Sequence, residues 1–102
     1  MEYINLTPHT INLNDGRVYL ASGEQARVSS SHTAIVDDVC ETVFGEVTGL
    51  PVPTEGVRYI VSGMVLAALK GTRPDVVGPA TGHPDVVRNE QKQIVSVPCF
   101  TR

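Results

Sequence analysis

Residues 59–89 read YIVSGMVLAALKGTRPDVVGPATGHPDVVRN. Tyr59 to Val61 is a short apolar run that leads straight into Ser62 and Gly63. Met64 to Leu69 is apolar nearly all round, which predicts a short helix over about residues 63–70, buried against a sheet. Ser62 offers the hydroxyl of an N-cap, and Gly71 the backbone freedom of a C′ residue. Two turns of helix do not persist alone, so packing must hold them. Asp75 to Val77 predicts a second strand. Strand, helix and strand so close together make a compact βαβ unit if the flanking strands are parallel. The free N–H groups at the Ser62 helix start would suit an anion, phosphate included.

The same stretch contains an echo. Arg73-Pro74-Asp75-Val76-Val77-Gly78 returns ten positions later as His83-Pro84-Asp85-Val86-Val87-Arg88. Two copies do not make a repeat architecture. They read as two similar strand beginnings on either side of one Gly- and Pro-rich loop.

Toward the N-terminus, Tyr3 to Leu6, Thr10 to Leu13, Val18 to Leu20 and Ala26 to Val28 predict short strands. Asp15-Gly16 supplies a hairpin turn between the second and third. Residues 1–30 therefore predict an antiparallel meander. Ser29 to His32 is polar and reads as loop. Thr33 to Phe44 has helical spacing of apolar residues but β-branched composition. We read it as strand pieces around a turn at Asp37-Asp38. Gly45 to Pro53 reads as extended and turn-rich, because Pro51 and Pro53 exclude a helix. Val57 to Val61 continues as the strand that feeds the helix. Asn89 to Gln93 reads as a turn, and Ile94 to Phe100 as one last strand whose Pro98 places its far end on a sheet edge.

The totals agree with these elements. The 102 residues make one domain, residues 1–102, and the 41% hydrophobic content is enough to fold it. Nine Gly and seven Pro imply many turns, and the lack of Trp leaves a core of Val, Ile, Leu and Ala. The expected class is α+β: a small antiparallel β-rich domain with one short buried helix and, if the strands flanking it are parallel, a compact βαβ unit. A net charge of −3 argues against a nucleic-acid polymer as partner. A small anionic ligand needs only a few convergent arginines. No apolar run is long enough to span a bilayer, and Met-Glu-Tyr-Ile-Asn does not resemble a signal peptide, so we expect an intracellular protein without a membrane partner. Cys40 and Cys99 lack metal-ligand spacing and read as reduced thiols, with a Cys40–Cys99 disulfide as the alternative. His9, His32 and His83 show no HxH or HExxH spacing, so neither a metal nor another cofactor is expected.

Several residues are candidates for ligand contacts. Asn5, Thr7 and His9 lie close around the rigid Pro8, where they would hydrogen-bond a ribose or base, or else satisfy their own strand end. His83 sits in a loop whose Gly78 and Gly82 permit close approach of a ligand, or which simply joins two strands. Arg88 and Asn89 end a strand; they suit phosphate and base edges, or a solvated turn. Arg73 and Arg102 are weaker candidates of the same kind. Acids such as Asp37, Asp38, Asp75, Asp85 and Glu90 would serve as a general base, and Ser29 to Ser31 stand beside His32. None of these forms a catalytic signature, because adjacency in sequence is not triad geometry. Binding is the stronger expectation.

INLTPHTINL (residues 4–13), RYIVSGMVLAAL (58–69) and VVRNEQKQIVSV (86–97) together resemble the Thoeris anti-defence family of phage nucleotide sponges. Residues 21–56 carry no such likeness. The resemblance implies a phage protein acting in the cytoplasm of the infected bacterial host. It implies binding, without degradation, of cyclic ADP-ribose isomers made by immune TIR-domain enzymes; some members also hold cyclic oligonucleotides. It implies homo-oligomers, dimers or higher, with pockets at subunit interfaces, arginine on phosphates, an aromatic ring on adenine and Asn on polar edges. Here Arg88, Asn89 and the Ser62 helix start match those roles, and Phe100 and Tyr59 are the nearest aromatic rings. The apolar helix would be a natural interface. The alternatives are a structural or assembly module of a phage particle and a small nucleotide hydrolase or lyase.

Overall fold

A computed structural model describes all residues 1–102. Ten strands and one helix follow in the order β1 (Glu2–Asn5), β2 (Ile11–Asn12), β3 (Val18–Tyr19), β4 (Arg27–His32), β5 (Thr42–Thr48), β6 (Val57–Ile60), α1 (Gly63–Leu69), β7 (Val76–Pro79), β8 (Val87–Arg88), β9 (Ile94–Ser96) and β10 (Phe100–Thr101). The centre is a four-stranded sheet in the order β1-β6-β7-β10. β6 runs parallel to both β1 and β7, and β10 is antiparallel to β7. Three two-stranded hairpins, β2–β3, β4–β5 and β8–β9, complete a small α+β domain.

The condition for a βαβ unit, parallel flanking strands, is met. β6 and β7 are parallel neighbours, and α1 crosses between them. Ser62 caps the helix by accepting from the Val65 N–H at 3.4 Å. The chain leaves the helix through Lys70 and Gly71, both left-handed, with φ of 51° and 75°. The helix turns Val65, Leu66 and Leu69 inward and Met64 outward.

Alternation along the central strands splits the core in two. On one face Leu6, Tyr59, Val61 and Val76 meet Val65 of the helix and Ala26. On the other face Ile60 and Val77 meet Ile11 and Leu13 from the first hairpin and Val97. The echo has a structural counterpart. The Val76 N–H donates to the Arg73 carbonyl at 3.1 Å, and the Val86 N–H to the His83 carbonyl at 3.2 Å. Each copy is one x-Pro-Asp-Val turn, with Pro holding the φ that its second position requires.

Four expectations are corrected. Residues 1–30 are not a meander: β1 pairs in parallel with β6, and β4 pairs with β5. Both faces of β1 need cover, which a surface meander does not supply. Ser29 to His32 is strand, not loop, because pairing with β5 satisfies its backbone while both faces meet water. Gly45 to Thr48 likewise belongs to β5. Ile94 to Phe100 divides at Pro98 into β9 and β10, which belong to different sheets; proline cannot continue the ladder. The Asp37-Asp38 turn forms as expected, with both residues at positive φ and Val36 bridged to Val39. β10 lies on the sheet edge. Cys40 and Cys99 are free thiols.

No helix is long and apolar enough to cross a membrane. The body is thin, with extents of 46 × 38 × 22 Å, and its radius of gyration is 15.1 Å. A compact globule of this length would measure about 13 Å. The β4–β5 hairpin, whose residues 29–43 are all exposed, forms an arm on the body.

Candidate functional site

The second core face is only partly covered, and a basin opens where the cover stops. Tyr3 of β1, Arg58 of β6, Val77 of β7 and Phe100 to Arg102 at β10 line it from the sheet. Leu13 and Arg17 line it from the β2–β3 hairpin, and Pro98 and Cys99 close its rim. Its volume is about 670 Å³. Small-molecule sites occupy roughly 300–1,000 Å³.

The register of the sheet places the parts. Tyr3 is the direct partner of Arg58 in the parallel β1–β6 pair. Arg58 interrupts an otherwise apolar strand, and its Nη1 donates to the Tyr3 hydroxyl at 3.3 Å. Tyr3, Tyr19 and Phe100 form a triangle with all ring centroids 5.4 Å apart. Tyr3 and Phe100 are stacked, and Tyr19 meets both edge-on. The rings hold one another, so the aromatic wall is rigid before any ligand arrives.

Arg17 is paired with Asp15 at 2.8 Å. The Arg17 backbone N–H, and then its guanidinium, hold the Asp15 carboxyl below the usual carboxylate range. Arg58 and Arg102 form no ion pair with any carboxylate. Two guanidinium groups without acidic partners, a third paired but exposed, and two stacked rings therefore share one basin. Guanidinium forks match phosphate oxygens, and ring faces match a purine. No group of three or more His, Cys, Asp or Glu side chains comes together anywhere in the chain.

The residues singled out from sequence are dispersed. Only Phe100 and Arg102 line the basin. Asn5 is buried and turned inward: its Nδ2 donates to the carbonyls of His9 and Tyr19, and its Oδ1 accepts from the Thr7 N–H and hydroxyl. The strand-end reading of Asn5 and Thr7 is the one the geometry favours. Thr7, His9 and Ser62 border a second, smaller depression with Gln25, Gly63 and Pro79. Arg73 is structural: it pairs with Asp75 at 2.9 Å and donates to the Pro51 carbonyl at 2.8 Å. Its guanidinium lowers the Asp75 carboxyl below the usual range. His83 Nδ1 accepts from the Asp85 N–H at 3.0 Å within its own turn. Arg88 donates to the Lys92 carbonyl, and Asn89 Oδ1 accepts from Gln91 and Gln93 N–H groups, so both serve the β8–β9 hairpin. Tyr59 is 3% exposed and cannot stack on a ligand.

Tyr3, Arg17 and Arg58 were missed. A single arginine within the otherwise apolar run Val57 to Val61 was the available signal. Comparison of the chain with protein-family models, with curated proteins and with solved structures gives no match.

Proposed function

We propose that this protein binds and sequesters a small cyclic nucleotide signal of the cyclic ADP-ribose class without degrading it. In this reading it is a phage anti-defence protein acting in the cytoplasm of the infected host. The observation that supports the reading is the joint placement of Arg17, Arg58 and Arg102 with the Tyr3–Phe100 stack in one basin. A cyclic ADP-ribose isomer presents a diphosphate and a purine. The unpaired guanidinium groups of Arg58 and Arg102 suit the first, and the ring surface of Phe100 suits the second. The anchor moves from Arg88 and Asn89, which the hairpin uses, to Arg58.

The two shifted carboxylates, Asp15 and Asp75, are each held low by a neighbouring arginine. A general base needs the opposite shift, toward neutrality. Both carboxylates are committed to these ion pairs, and the lining of the basin contains no Asp, Glu or His to serve as a general base.

The test is retention. Purified protein is incubated with a panel of cyclic ADP-ribose isomers and cyclic oligonucleotides, freed of unbound ligand, and heat-denatured. Mass spectrometry identifies what is released. Intact ligand near one per site is the expected result. Released product would make the protein an enzyme, and no retention across the panel would end the sponge reading. A second reading, an assembly module, is favoured by the β4–β5 arm, which a monomeric binder does not need.

A further inference from the structure

Every residue from Ser29 to Val43 is exposed. These residues form the outer part of the β4–β5 hairpin; at its base Thr42 and Val43 share a depression with Ala68, Leu69 and Lys70 at the helix end, and beyond them no residue of the ribbon is buried. Such a ribbon alone is marginally stable in water. Its root is anchored: Val28 and Val47 pack on the helix-side core. Its tip is a tight turn of Asp37 and Asp38 between Val36 and Val39. Ile35, Val36 and Val39 are 75%, 67% and 63% exposed, so the tip is apolar and acidic together.

Charge is divided along the same line. Residues 27–48 contain four acids, Asp37, Asp38, Glu41 and Glu46, and one base, Arg27. The arm therefore carries the whole net charge of −3, and the rest of the chain is balanced. The surface that complements the tip is on the same molecule. The basin combines Leu13, Val77 and Phe100 with three arginines, two of them without a carboxylate partner. The arm is rooted on the helix side of the sheet and the basin opens on the other side. From Arg27 to the turn the ribbon reaches about 30 Å at the rise of a β-strand.

We propose that the acidic tip of the arm docks into the arginine basin of a second copy of this chain. Asp37 and Asp38 supply carboxylates to Arg58 and Arg102, and the flanking valines cover the apolar part of the basin. The contact joins two different surfaces, so it is head-to-tail and propagates to a ring or a filament. Tip carboxylates and an anionic ligand use the same guanidinium groups, so docking and ligand retention exclude one another at any one basin. The docking does not depend on the ligand being a nucleotide.

Sedimentation velocity of the full chain at low and high salt tests it. The wild type is expected to exceed the mass of one chain at low salt and to dissociate at high salt. Asp37→Asn with Asp38→Asn, which suits positive φ, is expected to give the mass of one chain. Arg58→Glu with Arg102→Glu is expected to do the same. Asp37→Lys with Asp38→Lys reverses the tip; Lys70 and Lys92 already occupy positive φ in this chain. Mixed one to one, the reversed-tip and reversed-basin proteins are expected to associate although neither does alone. Circular dichroism checks that each variant is folded. A wild type that stays at the mass of one chain at every concentration overturns the proposal. So does an assembly that survives both sets of substitutions. Failure of the nucleotide panel with the mixed association intact would end the sponge reading and leave the docking standing.

Discussion

Arg58 and Arg88 separate two ways in which an arginine can look functional. Arg88 ends a strand beside Asn89, which is the context of a phosphate contact, yet its guanidinium is used on the Lys92 carbonyl. Arg58 sits among apolar residues, yet it faces an open basin with only the Tyr3 hydroxyl as partner. Arg58→Ala is expected to weaken retention of the bound ligand by about ten- to a hundredfold, the cost of a lost charge-assisted hydrogen bond. Arg88→Ala is expected to change it less than about twofold; titration of both variants with the retained ligand decides, and the reverse order would move the site to the β8–β9 hairpin. Asp75 makes a different kind of prediction. Its carboxyl is lowered first by the hydrogen bond from Arg73, and both side chains are mostly shielded. A carboxyl lowered on folding stabilises above its unfolded value and loses that contribution as pH falls through the folded value. Asp75→Asn is expected to cost about 1 kcal/mol at neutral pH. The gap between wild type and variant in urea unfolding is expected to narrow as pH falls below the ordinary carboxylate range and to close only once it passes the lowered folded value. A gap that does not change with pH would remove the ion pair as its cause.

The arm shows how one element depends on its root. Gly49 follows β5 at a φ of 77°, in the left-handed region. A Cβ there would overlap the Gln25 carbonyl, next to Ala26 in the helix-side core. Strained backbone and overlap with a rigid neighbour add, so Gly49→Ala is expected to destabilise by about 2–4 kcal/mol. Chemical denaturation measures it, and a loss below about 0.5 kcal/mol would mean the root relaxes freely. Further out, β5 sets Gly45 and Glu46 against the single residue Ser29, a bulge where the pairing shifts by one. The helix depends on its neighbours in the same way: seven residues and one cap bond of 3.4 Å hold because Val65, Leu66 and Leu69 are packed. Ser62 was legible because an N-cap is a local device, and so was the Asp37-Asp38 turn. The arm was not, since Ser29 to His32 carries no alternation to mark a strand. What makes it one is its pairing with Thr42, Val43 and Phe44 of β5, further along the chain.

Across the whole molecule, stability is unevenly distributed. The amides of β6 and β7 lie at the centre of the sheet, under cover on both faces, while residues 29–43 are all exposed. In a dilute, dissociated sample, hydrogen exchange is expected to show the arm exchanging at least about a hundredfold faster than Tyr59 to Val61 and Val76 to Val77. Comparable protection under those conditions would mean that the arm folds back onto its own body. The sequence by itself determined the α+β class, the Ser62-capped helix between two strands, and the turns. Each rests on neighbours in the chain: the period of apolar residues, a hydroxyl before a helix, or Asp and Gly where φ is positive. The tertiary structure alone decided that β1 joins β6 in parallel, that Asn5 and Thr7 are used inward, and that Tyr3, Arg17, Arg58, Phe100 and Arg102 share one basin. Those residues come from three separate strands, the β2–β3 turn and the residue that follows β10. No local pattern brings them together, because strand order is decided by which apolar faces can be buried at once.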